Sequence, residues 1–123
     1  LSHPDLIKNV TADDWCPKAI MPTICRALDR IAKTGVAMEL NTSGANKVVP
    51  EMNPFPGMLQ EMQTRGIPIV LGADAHEPRR VADRFEDALD LLAEVGFAEV
   101  SLFQTRQRTA ISISQARSTL RGS

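Results

Sequence analysis

Apolar positions recur at helical spacing in three stretches of the chain, and each stretch ends at a glycine that opens a short β-like run. Ile24, Leu28 and Ile31 form one stripe ahead of Gly35. Met58, Leu59 and Met62 form a second ahead of Gly66, and Ala88, Leu89, Leu92 and Val95 a third ahead of Gly96. A glycine just past a helix end takes the left-handed conformation that stops the helix. The three glycines stand 31 and 30 residues apart, about the length of one helix plus one strand. The pattern therefore predicts helix followed by strand, three times over, with strands at 36–40, 67–71 and 98–103. A fourth strand is expected over 109–113, and the polar tail 115–123 is expected to be loose.

Prolines and acidic residues mark the helix starts. The first helix is predicted from Pro22 to Lys33, with 17–21 as an irregular or helical lead-in. The second starts near Pro54 or Pro56, and the third carries Asp83 and Glu86 at capping-box spacing. Pro68 is tolerable because it stands at the start of its strand. Strands separated by helices imply a parallel sheet with right-handed crossovers, which gathers the C-terminal strand ends on one edge. On that edge the reading places Asn41-Thr42-Ser43-Gly44, then Asp74 with His76, then Gln104-Thr105-Arg106.

Composition narrows the function classes. With 123 residues and 43% apolar content the chain can bury a core, but it is far shorter than a closed α/β barrel. Together with a first residue Leu1, this raises the expectation that the sequence is a piece of a longer domain. A net charge of −1 and a pI near 6.1 make nucleic acid an unlikely main partner. No apolar run is long enough for a membrane span and no signal peptide is visible. Cys16 and Cys25 make neither a disulfide framework nor a C-x-x-C pair, and the expected location is a reducing cytoplasm.

Candidate chemistry concentrates at the strand exits. Asp74 and His76 lie two residues apart after an apolar strand, so on an extended chain both side chains share one face and can approach one metal centre. His3 precedes Pro4, which biases it toward an extended conformation, and Leu1-Ser2-His3 reads as the exit of a strand lying upstream. These are the only two histidines. Asn41 either orients a ligand through its amide or forms an Asx turn that ends its strand. Glu39 shares a face with Asn41 and, if buried, needs a hydrogen-bonded partner, a structural role. Lys47 is a phosphate contact or a solvated loop lysine. Arg79 and Arg80 read as a solvated helix start.

Three runs together carry a family resemblance: His-Pro-Asp-Leu-Ile-Lys at His3 to Lys8, Met-Glu-Leu-Asn-Thr-Ser-Gly at Met38 to Gly44, and Gly-Ala-Asp-Ala-His at Gly72 to His76. In order and spacing the chain resembles the PHP (polymerase and histidinol phosphatase) superfamily, in its histidinol-phosphatase-like branch. The resemblance implies an α/β fold, the C-terminal part of a distorted (β/α)7 TIM-like barrel with parallel strands, so that residues 1–123 are a partial PHP domain. It implies two or three divalent metals, zinc, manganese or iron, with His3, Asp74 and His76 as metal ligands. Asp74 and His76 are thereby also the candidate catalytic residues, and Asn41 and Lys47 the candidate substrate-binding ones.

The implied reaction is metal-dependent hydrolysis of a small phosphorylated substrate. A metal lowers the pKa of bound water and cancels phosphoryl charge, which explains the need for such ligands. The first-motif His-x-His and the middle-motif histidine and glutamate have no counterpart, so the chain alone is expected to be inactive. Ala45-Asn46-Lys47 also departs from the basic pair that often follows the Asn-Thr-Ser-Gly turn, leaving one cation where an arginine fork would grip phosphate. The alternative is a non-catalytic PHP module serving as a structural or binding domain, as in DNA polymerase chains. An open half-barrel would expose sheet edges and apolar faces, from which a homodimer is expected.

Overall fold

The computed structural model describes residues 1–10 and 12–122. Four α-helices and four strands follow one another as α1 (Pro17–Ala32), β1 (Met38–Asn41), α2 (Pro56–Thr64), β2 (Ile69–Gly72), α3 (Phe85–Val95), β3 (Glu99–Gln104), β4 (Gln107–Ser112) and α4 (Ile113–Arg121). The punctuation predicted from the glycines is present. Gly35, Gly66 and Gly96 have φ of 70°, 65° and 107°, and the Gly96 N–H closes α3 onto the Leu92 carbonyl. Helix α1 starts at Pro17 rather than Pro22 and runs through Pro22, where the ladder lacks one backbone donor. Helix α3 is preceded by Arg84 in a left-handed conformation with no side-chain cap, so Asp83 does not make the expected capping box.

The expected barrel segment is absent. β1 and β2 pair in parallel, Met38 opposite Ile69 and Asn41 opposite Gly72, as the helix-strand repeat requires. β3 does not extend that sheet. It pairs antiparallel with β4, Glu99 opposite Ser112 and Gln104 opposite Gln107, so the described residues form two separate two-stranded sheets and not part of a (β/α)7 TIM-like barrel. Thr105 and Arg106 both take positive φ, 47° and 64°, and fold the chain back in a two-residue hairpin, so that the fourth strand pairs antiparallel with β3. Gln104-Thr105-Arg106 is therefore a hairpin tip.

The stretch after β4, expected to be loose from residue 115, forms α4 over Ile113–Arg121. Ser112 caps α4 by accepting a hydrogen bond from the Gln115 N–H, and Ile113 and Ala116 are buried. One core joins the elements: Leu28 from α1, Met38 and Leu40 from β1, Leu59 and Met62 from α2, Ile69 from β2, Leu89 and Leu92 from α3, and Val100 from β3. Among the described residues no helix is long and apolar enough to cross a membrane.

Two connections hold the N-terminal segment against β1. The Leu1 amino group donates to the Ala37 carbonyl (2.7 Å) and the Glu39 N–H donates to the Leu1 carbonyl (2.9 Å), the hydrogen-bond pattern of a parallel pairing opposite Met38. Farther along, Lys8 is fully buried, its ammonium 3.0 Å from Asp5, 3.2 Å from Glu51 and 2.9 Å from the Met52 carbonyl. The Asp5 carboxylate also accepts from Asn53 Nδ2 (2.6 Å) and the Phe55 N–H (2.7 Å). These bonds fix His3, which lies between them.

Candidate functional site

Four side chains from three segments form a row where β1 and β2 end. Docking of Leu1 on β1 brings His3 over Glu39, whose Oε2 accepts the His3 backbone N–H at 3.1 Å and lies 3.5 Å from ring Nδ1. The opposite ring nitrogen, Nε2, lies 3.5 Å from Asp74 Oδ2, and Asp74 Oδ1 in turn lies 3.5 Å from His76 Nε2. The row thus runs Glu39, His3, Asp74, His76. It passes from a Glu39 side chain 16% exposed to a His76 side chain 84% exposed, with one end set in the protein and the other in water.

The backbone beneath the row is held in an uncommon conformation. His3 (φ 49°) and Asp74 (φ 46°) both occupy the left-handed region, which costs energy for residues other than glycine. Such conformations persist where surrounding contacts impose them. For His3 they are the Leu1 pairing on β1 before it and the Lys8 cluster after it, and its own N–H donates to the Glu39 carboxylate. Gly72 permits the packing, because a Cβ there would overlap the Glu39 carboxylate.

Asn41 is buried at the end of β1 and makes the Asx turn that ends the strand. Its Oδ1 accepts from the Ser43 N–H (2.9 Å) and the Ser43 hydroxyl (2.6 Å), the Asx-type cap of the 3-10 turn Thr42–Asn46, while its Nδ2 faces His3 Nε2 at 3.5 Å. Thr42 fastens this turn by donating its hydroxyl to the Asp83 carbonyl at 2.7 Å. Lys47 stands outside the row. It is exposed, and its backbone N–H closes the turn onto the Gly44 carbonyl. Arg79 and Arg80 pair with their acidic neighbours Glu77 and Asp83, as a solvated helix start would.

The sequence reading gave Glu39 a structural role, and the structure gives it a direct contact with His3 as well. The signal was its spacing of two from Asn41 on one strand, which puts both side chains on the face that meets His3. The arrangement supplies two imidazoles, two carboxylates and an amide in a chain of pairwise contacts, enough to accept and pass a proton. As a metal centre it is incomplete. The donors meet in successive pairs, and among the described residues no three of His, Cys, Asp or Glu are grouped to hold one ion. Elsewhere an apolar cavity of about 230 Å³ under α3 and α4, lined by Val70, Leu89, Val100, Ile111 and Leu120, has neither carboxylate nor imidazole in its walls.

No family model matches the chain. It is similar to a probable histidinol-phosphatase of Deinococcus radiodurans, 46% identical over 70 residues that make up 57% of this chain. The match spans 27% of that protein's length, so the chain corresponds to a limited part of it. This similarity supports a histidinol-phosphatase-like relationship for the chain.

Proposed function

We propose that the chain carries one corner of the active site of a phosphomonoester hydrolase of the PHP type, similar to histidinol-phosphatase. The observation that carries the reading is the contact row His3, Asp74, His76, in which the pair at the exit of β2 meets a residue from the opposite end of the sequence. The similarity to a probable histidinol-phosphatase supports the same reaction class.

Hydrolysis of a phosphomonoester needs a base near the attacking water and an acid near the leaving oxygen. Asp74, flanked by two imidazoles, serves as the acceptor of the water proton, and the exposed His76 as the group that exchanges it with solvent. The Asn41 amide and the Lys47 ammonium belong to the substrate side of the proposal. Divalent zinc, manganese or iron belongs to it as cofactor. Because the described donors do not make a three-donor centre, no step is assigned to a metal.

The test is hydrolysis of histidinol phosphate by the complete gene product with added manganese, compared with its Asp74→Asn and His76→Gln variants. Loss of turnover by at least about a hundredfold in both, with folding retained by circular dichroism, is expected of residues acting on the proton in flight. Turnover within about threefold of the unsubstituted protein in both would remove these residues from the site. The 123-residue chain by itself is expected to show negligible turnover.

A further inference from the structure

We infer that the chain binds a small amphipathic carboxylate, with the alkyl or aryl body in the cavity under α3 and α4 and the carboxylate on the Arg108 guanidinium. The cavity has a volume of about 230 Å³. Leu89 of α3, Ala116 and Leu120 of α4, Val100 and Leu102 of β3 and Ile111 of β4 stand in its walls, which contain no charged side chain. Such a lining takes up an apolar body and excludes a charge, and the volume is below that of a drug-sized site, so a short chain or a single ring is what it can enclose.

The way out for the charged end is a seam. The cavity meets both Val70 and Leu71, and it meets Ser101 as well as Val100 and Leu102. Consecutive strand residues point to opposite faces, so a space that touches all of them lies where β2 and β3 run side by side. No ladder closes that seam, since β2 is bonded to β1 and β3 to β4. Ser101, only 3% exposed, is also a wall of the adjoining cleft of about 330 Å³, which Arg108 lines. The Ser101 hydroxyl accepts from Arg108 Nη1 at 3.3 Å, and among the described residues it is the one hydrogen-bonding or ion-pairing partner of that side chain. Arg65, Arg117 and Arg121, by contrast, each hold a carboxylate. The Arg108 guanidinium thus stands one hydrogen bond from the wall of an apolar cavity with most of its five N–H donors available to an anion.

Charge and shape select the head group. A guanidinium fork grips a carboxylate through two parallel hydrogen bonds, and its single charge balances a carboxylate but not a phosphate dianion. The one acidic residue in the cleft walls, Glu99, lies four residues along β3 from Phe103, the register partner of Arg108, which is roughly 13 Å at strand rise. These two described residues make no ion pair, so the cleft does not neutralise its own cation. The site shares no residue with the row at the strand exits and does not rest on the phosphatase reading.

NMR titration of the uniformly 15N-labelled 123-residue chain with hexanoate at neutral pH, where a carboxyl group is ionised, tests this. Saturable shifts are expected at the Leu89, Val100 and Leu120 amides and at the Arg108 side-chain N–H, with a dissociation constant of about 1 mM or tighter. Hexanol, with the same chain and no charge, should bind about tenfold or more weakly, and Arg108→Gln should remove that preference, as loss of a charge-assisted contact requires. Ala116→Leu, which fills the cavity, should weaken both ligands alike. The comparison of hexanoate with hexanol needs no variant. Absence of saturable shifts by about 10 mM hexanoate, hexanol binding as tightly as hexanoate, or shifts confined to exposed apolar residues such as Ile7 and Val10 overturns the inference. So does an unchanged hexanoate affinity in a folded Arg108→Gln chain.

Discussion

Replacing Asp5 by asparagine should cost this domain a large share of its stability, although the substitution changes almost no volume. The Asp5 carboxylate is 3% exposed and accepts three donors, from Lys8 at 3.0 Å, Asn53 at 2.6 Å and the Phe55 N–H at 2.7 Å. Asparagine keeps one oxygen and presents an NH2 group where a donor already points, so at least one buried donor loses its acceptor. That loss costs roughly 1.5–3 kcal/mol when a charged partner is involved. In addition, the fully buried Lys8 ammonium keeps only Glu51, whose side chain is 33% exposed, as counter-charge. Breaking a buried pair in this way costs about 3–5 kcal/mol in total, because an under-compensated charge stays inside. Against the usual 5–15 kcal/mol for a domain, the urea midpoint should fall by on the order of 1–3 M at ordinary slopes. Glu51→Gln, at the wetter end of the same cluster, should cost about 1 kcal/mol or less. If Asp5→Asn unfolds within about 1 kcal/mol of the unsubstituted chain, the Lys8 cluster is not what holds the N-terminal segment.

Three further outcomes follow from particular contacts. Gly72→Ala should lower stability by about 1–3 kcal/mol through overlap with the Glu39 carboxylate, and Glu39→Ala in the same chain should recover most of that loss, a coupling that thermal melts of the four-member cycle would measure. Ser112→Ala should remove the cap of α4 at a cost of about 1 kcal/mol, read as loss of helical circular dichroism before the main transition. The Glu61 carboxyl is held below its ordinary range by the hydrogen bond from the Arg65 guanidinium and then by that from the Cys25 thiol. Folding thus favours its ionised form, and its contribution is complete above the ordinary glutamate range and fades as pH falls below it. Arg65→Gln should therefore flatten the stability profile of that acid window while shifting stability at neutral pH by the same small amount, as urea titrations at several pH values would show.

The parts of the fold visible in the sequence are those governed by short-range rules. Each of Gly35, Gly66 and Gly96 ends a helix because a left-handed residue is needed there, and a repeated local requirement is readable without tertiary information. The hairpin escaped for the complementary reason. A strand over 109–113 was readable, but its pairing was not, because the turn uses Thr105 and Arg106 at positive φ where the usual hairpin signal would be Asn-Gly or Asp-Gly. Helix α4 was hidden by its polar residues, although Ser112 with Gln115 three positions on, and Ile113, Ala116 and Leu120 at helical spacing, carried its cap and its apolar stripe.

The site divides along the same line. Asp74 and His76 were legible because both follow one strand, so their proximity is a local property of the chain. The role of Glu39 was not, because it exists only when Leu1 lies along β1 and delivers His3 from 36 residues away. Nor does the sequence announce that His3 and Asp74 stand at positive φ, since histidine and aspartate enter that region more readily than most side chains but only at a minority of positions. For His3 the compelling contacts are the Leu1 pairing and the Lys8 cluster on either side of it. A stability network remote from the row in function is thus what sets the row's geometry. Loosening it by Asp5→Asn should therefore free the His3 ring as well as weaken the fold, with the His3 backbone and ring NMR signals moving toward their random-coil positions under conditions where the variant is still folded.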